Sequence, residues 1–124
     1  MLLFHCHNSP IRRLRVGLTQ ALGLMDRDAI DLIEIDGAGQ LHVVPSSRTF
    51  PFIYREAMEV QWDAARCSLR SPAPREWSYA RWFQQILAAA REQDCELYPV
   101  ASTRWLNVAP DMKAQLLRVV AREA

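Results

Sequence analysis

The sequence predicts an α+β fold, with helices packed on one face of a mainly antiparallel sheet built from hairpins. Three observations carry that expectation. Two stretches pair extended apolar segments across short turns, the signature of hairpins. Four others repeat apolar residues at helical spacing. Helices and hairpins come in runs, which argues against the strict alternation of a doubly wound parallel sheet. The 124 residues suit a single globular domain spanning 1–124, and 50% apolar with 23% charged residues excludes a disordered or low-complexity chain.

Met1 to His7 alternates loosely and is expected to form a short strand. Asn8-Ser9-Pro10 reads as a helix start, a capping side chain followed by proline in the first turn. Ile11, Leu14, Leu18, Ala21 and Leu22 then share one helical face, and Gly23 stops it. Ile30 to Asp36 alternates with a slip, Ile30 and Leu32 giving way to Ile33 and Ile35. Gly37-Ala38-Gly39 supplies a tight turn, and Gln40 to Val44 returns as the second strand.

Phe50, Ile53, Tyr54 and Ala57 predict a short helix over Thr49 to Met58. Val60-Gln61-Trp62 and Cys67-Ser68-Leu69 flank a four-residue loop and predict a second hairpin. Ser71-Pro72-Ala73-Pro74 is an extended connector. Trp77 to Glu92 carries the strongest helical stripe, Tyr79, Trp82, Phe83, Ile86, Leu87 and Ala90, with a cap at Ser78 or just before it. Cys95 to Val100 and Thr103 to Val108 are expected strands. Asn107 to Asp111 announces a last helix with Met112, Leu116, Val119 and Val120 inward.

A net charge of +1 gives no nucleic-acid footprint, and fourteen arginines against Lys113 alone are scattered along the chain rather than clustered. With sixteen alanines, that bias is what a GC-rich bacterial genome produces. Neither a signal peptide nor an apolar run of membrane-spanning length is visible, so no membrane partner is expected. Three cysteines at unrelated spacings argue against a disulfide framework and for the cytoplasm.

Enzymatic signatures are sparse. His5-Cys6-His7 on a strand points both imidazoles to one side, where His42 or Asp36 would have to complete a metal site. No further ligand cluster follows, so a metal- or thiol-dependent enzyme using His5, His7 and His42 is the weaker alternative, and no cofactor is implied. Strand neighbours point away from Cys6 and do not activate it, while Cys67 and Cys95 read as small core residues. No serine sits in a nucleophile elbow. Acidic residues alternate with arginines or strand positions, as on a solvated face, and the glycine turn is not a phosphate loop.

The remaining signal is aromatic. Four tryptophans, with arginine beside Trp77, Trp82 and Trp105, exceed what a small core needs and suit recognition. Trp82 belongs to a core stripe, whereas Trp62 and Trp105 lie outside one. A binding surface is therefore expected near Trp62 and Trp105 with Arg55, Arg75 and Arg104. The function expected is a non-enzymatic binding or protein-interaction module for an unidentified protein or small-molecule partner, and self-association into a homodimer is compatible with it.

Phe52-Ile53-Tyr54-Arg55-Glu56-Ala57-Met58, Val60-Gln61-Trp62-Asp63, Leu69 to Pro74 and Trp77-Ser78-Tyr79 together resemble a family of small proteobacterial proteins associated with integron gene cassettes. The resemblance covers roughly residues 30 to 112. It implies a soluble cytoplasmic protein with an accessory, horizontally acquired role. It brings no activity and no site residue.

Overall fold

The computed structural model describes residues 26–123. The strand expected over Met1 to His7 and the helix expected after Pro10 lie outside them. The first hairpin joins β1 (Asp26–Ile35) and β2 (Leu41–Pro45), antiparallel, with Ile35 opposite Leu41. Its turn is organised by Asp36, whose Oδ1 accepts the backbone N–H groups of Ala38 and Gln40, both at 2.9 Å. Gly39 closes the turn at φ 82°, where a side chain would be strained and its Cβ would lie 3.4 Å from that of Ala73. The slip read in the sequence is a β-bulge: Asp31 is an extra residue between the Ile30–Pro45 and Leu32–Val44 pairs. It turns both Ile30 and Ile33 into the core.

In place of the helix expected over Thr49 to Met58 there is one 3-10 turn, Ile53–Arg55. Phe50, Ile53 and Ala57 are buried as the spacing predicts, but Tyr54 is 56% exposed. A helix this short does not repay its nucleation, so packing of three apolar residues decides the backbone. The second hairpin, β3 (Gln61–Asp63) and β4 (Ser68–Arg70), forms as expected and joins the sheet through β4 on β2.

Ser78 caps α1 (Tyr79–Glu92), its Oγ accepting the Arg81 N–H at 3.2 Å. The helix ends through Asp94 in the left-handed region, φ 64°, a role usually given to glycine. The two strands expected next are one, β5 (Cys95–Leu106), pairing parallel to β1 in two stretches. Between them Pro99 to Arg104 bulges against Ile30 to Leu32, and Thr103 Oγ1 fills the gap by accepting from Val100 N and donating to Ile30 O. Asn107 turns the chain at φ 57° and its amide donates to Ile35 O, 3.2 Å away. Helix α2 (Pro110–Glu123) then starts on proline with Asp111 in its first turn, where its charge suits the helix dipole.

The strand order among the described residues is β3-β4-β2-β1-β5, three antiparallel pairings and one parallel. Both helices cover one face, where Phe83, Ile86, Leu87, Leu116 and Val119 meet Ile30, Ile33, Leu41, Val43 and Leu69. This is the expected α+β architecture. Each fully buried large side chain contributes about 1.5–3 kcal/mol. Phe83 is the buried aromatic of α1, whereas Trp82 is half-buried and flanks the core. In urea melts Phe83→Ala should cost about 3–5 kcal/mol by leaving a cavity. Trp82→Ala should cost only about 1–2 kcal/mol, in the ordinary range for a partly exposed site.

Candidate functional site

An open cleft of about 440 Å³ lies at the N-terminal end of α1. Its lining comes from three places: Ala57-Met58-Glu59 after the 3-10 turn, Pro72, Ala73 and Arg75-Glu76-Trp77 of the connector, and Trp82 and Gln85 of α1. The proline-rich connector cannot enter the helix early, so Trp77 remains outside it and folds back on Trp82, ring centroids 4.7 Å apart. Arg81 lies over the Trp77 ring at 4.5 Å, a cation–π contact. Met58 is 88% exposed at the rim, and the same loop exposes Phe52 and Tyr54, an edge-to-face pair at 6.4 Å. The Arg55 guanidinium covers Phe52 at 4.7 Å.

Of the five residues expected at a binding surface, Arg75 lines this cleft and exposed Arg55 sits on the loop that forms its wall. Trp62 on β3 is half-buried and packs edge-on against Phe50, at 6.0 Å. Trp105 and Arg104 are on β5, at the opposite edge of the sheet, four strand spacings or about 19 Å from β3. Trp105 sits opposite Ile33, packs on the core and carries Lys113 over its ring. The tryptophan surface expected from sequence therefore does not assemble around Trp62 and Trp105. The indoles that line the cleft are Trp77 and Trp82.

A second constellation escaped sequence reading. His42 is buried, with Nε2 2.8 Å from Asp36 Oδ2 and Nδ1 2.8 Å from Ser68 Oγ. With Asp36 ionised, the network assigns Nε2–H as donor to the carboxylate and Nδ1 as acceptor of the serine hydroxyl. The order resembles a hydrolytic triad, but Ser68 is fully buried and does not line the cleft. A nucleophile needs space for a reacting carbonyl, so the chain acts as a polar strut between turn, β2 and β4. The strut also occupies both ring nitrogens of His42, the residue proposed to complete a metal site. His5 and His7 lie outside the described residues, and no cluster of three or more metal-ligating side chains occurs among those described.

A third network anchors the loop. Asp28, 1% exposed, accepts the N–H groups of Ser47 and Arg48 at 2.9 Å. Arg48 pairs with Asp26 at 3.0 Å and donates to Gln93 O at the end of α1, while the Gln93 amide reaches Glu56. Beside it the Cys95 thiol is pushed up to about 12 by burial, which outweighs the opposing Arg48 charge and is reinforced by Asp28 and Asp26. It is not a nucleophile at neutral pH. Cys67 is disulfide-bonded, contrary to the expectation of a chain without disulfides.

Burial pushes the Asp36 carboxyl up, but the His42 hydrogen bond, the Gln40 and Ala38 N–H groups and the charge His42 carries when protonated outweigh it and hold the group below the ordinary value of 3.8. A depressed carboxyl contributes stability that is present above its unfolded value and lost as pH falls through the folded one. Wild-type stability should therefore decline below about pH 3.8, and Asp36→Asn should flatten that limb in urea melts taken across the range.

The sequence profile of the integron cassette protein Hfx_Cass5 family matches residues 28–102. A solved structure described as integron cassette protein Hfx_Cass5, from the mobile metagenome of the North West Arm sewage outfall, is 52% identical to this chain. The match covers 78% of this chain and 98% of that one, with a TM-score of 0.40. None of the curated proteins matches. Profile and identity bear out the resemblance read from residues 30 to 112: the chain belongs to the Hfx_Cass5 family of integron cassette proteins.

Proposed function

We propose that this protein is a non-enzymatic docking module with an accessory role, which receives a segment of a partner protein in the cleft at Trp77 and Trp82. The observation that carries this reading is the continuity of that cleft with the loop exposing Phe52, Tyr54 and Met58. Exposed large apolar side chains gathered beside a hollow mark interaction surfaces, and Trp, Tyr and Arg supply most of the anchoring energy at them. Methionine adds a contact that adapts to the partner's shape. Trp77, half-buried and already stacked, presents its indole at little cost in side-chain entropy.

An enzymatic reading lacks comparable support, since the buried relay has no room for a substrate and Cys95 stays protonated. The reading is of a cytoplasmic protein, in keeping with the free buried thiol of Cys95; the disulfide at Cys67 is the feature that pulls against a reducing compartment. Panning of a phage-displayed random peptide library on the wild-type chain should return a shared motif. Its synthetic peptide should lose at least about tenfold in affinity on Trp77→Ala or Met58→Glu, a difference of ~1.4 kcal/mol. Met58 is exposed, so Met58→Glu should leave stability within about 0.5 kcal/mol. Failure to enrich any motif, or equal binding by the variants, refutes a docking site here.

A further inference from the structure

We infer that the docked segment is an extended peptide with one basic and one acidic side chain straddling Trp77, a proposal that rests on the docking role assigned above. A second hollow of about 240 Å³ runs along the outer face of α1, lined by Trp77, Arg81, Gln84, Gln85 and Ala88. Trp77 and Gln85 line both hollows, so the two adjoin and the indole forms the ridge between them. In an extended peptide, side chains two residues apart point the same way about 6.6 Å from each other, enough to drop one on each side of an indole. A compact small molecule would fill one hollow and leave the other, and a helix, whose side chains four apart could also span the ridge, has its peptide groups bonded internally and offers none to the floor between the hollows.

The two hollows differ in charge. Among the described residues, Glu59 and Glu76 share the cleft with a single guanidinium, Arg75, whereas Arg81 is the one ionisable side chain lining the second hollow. A partner's Lys or Arg entering the cleft meets two carboxylates and the indoles of Trp77 and Trp82. The Arg81 guanidinium over Trp77 shows that this ring accepts a cation. A partner's Asp or Glu entering the second hollow meets Arg81, with no carboxylate among the described residues that line it. Between them, the half-buried Gln85 carboxamide makes no hydrogen bond among the described residues. A primary amide offers one acceptor and two donors, which matches the C=O and N–H of a passing peptide group.

The test uses blocked pentapeptides with central Lys-Leu-Asp, Lys-Leu-Lys and Asp-Leu-Asp, titrated while tryptophan fluorescence is followed. The mixed-charge peptide should bind at least about tenfold tighter than either like-charged one. Arg81→Glu, at an exposed position, should transfer the preference to Lys-Leu-Lys; the double variant Glu59→Gln, Glu76→Gln should erase the advantage over Asp-Leu-Asp. Binding of all three peptides with equal affinity, lost in Trp77→Ala, would overturn the charge order and leave the docking role standing. If no peptide binds the wild-type chain, while a panned peptide still binds through Trp77, the extended mixed-charge partner alone is refuted. Absence of binding by any peptide, panned or designed, refutes the docking role as well.

Discussion

A carboxylate buried beneath helices must be met by donors, and Asp28 is met by the chain that leaves β2. Its acceptance of the Ser47 and Arg48 N–H groups fixes where the long irregular segment begins. Arg48 then answers Asp26 and the Gln93 carbonyl, joining β1 to the end of α1. An unpaired carboxylate here would cost several kcal/mol, so the network is obligatory once Asp26 and Asp28 are placed inside. Everything downstream follows from that start: Phe50, Ile53 and Ala57 drop into the core, and Phe52, Tyr54 and Met58 are left facing outward. The candidate cleft has a wall because this loop is held.

The opposite wall depends on local chemistry of another kind. Prolines delay the entry into α1, the Ser78 hydroxyl sets its first turn, and Tyr79 ties it to the β1–β2 turn through a 2.8 Å hydrogen bond to Gly39 O. Gly39 suits that turn because its φ of 82° is one that side-chain-bearing residues rarely adopt. The same turn is braced from the other side by Asp36, His42 and Ser68. Buried polar groups thus set geometry, while the apolar core supplies most of the favourable energy.

Much of the fold was legible because hairpins and helices announce themselves over a few residues. The Ile30–Ile33 slip, the Ser78 cap and the Pro110 start all appear where the sequence places them. The parallel pairing of β1 with β5 was not, since Cys95 to Val100 would look the same beside an antiparallel neighbour. That pairing put Trp105 at one sheet edge and Trp62 at the other, which no local pattern records. The cleft draws on residues 57–59, 72, 73, 75–77, 82 and 85; Arg75 and Trp77 were visible as an arginine beside an indole, but Met58 and Gln85 carried no signal. The Asp36–His42 contact spans only six residues across a turn, whereas Ser68 joins through β2–β4 pairing alone.

The central claim is that the Asp26–Arg48 pair and its network hold the loop that builds the cleft. Hydrogen–deuterium exchange of the double variant Asp26→Asn, Arg48→Met tests it most directly, since neither partner is then left as an unpaired buried charge. The account predicts faster exchange across residues 46–60, with the β1–β2 pairing and the middle of α1 as protected as in the wild type. Unchanged protection in that loop, or a loss spread evenly over sheet and helices, would contradict it.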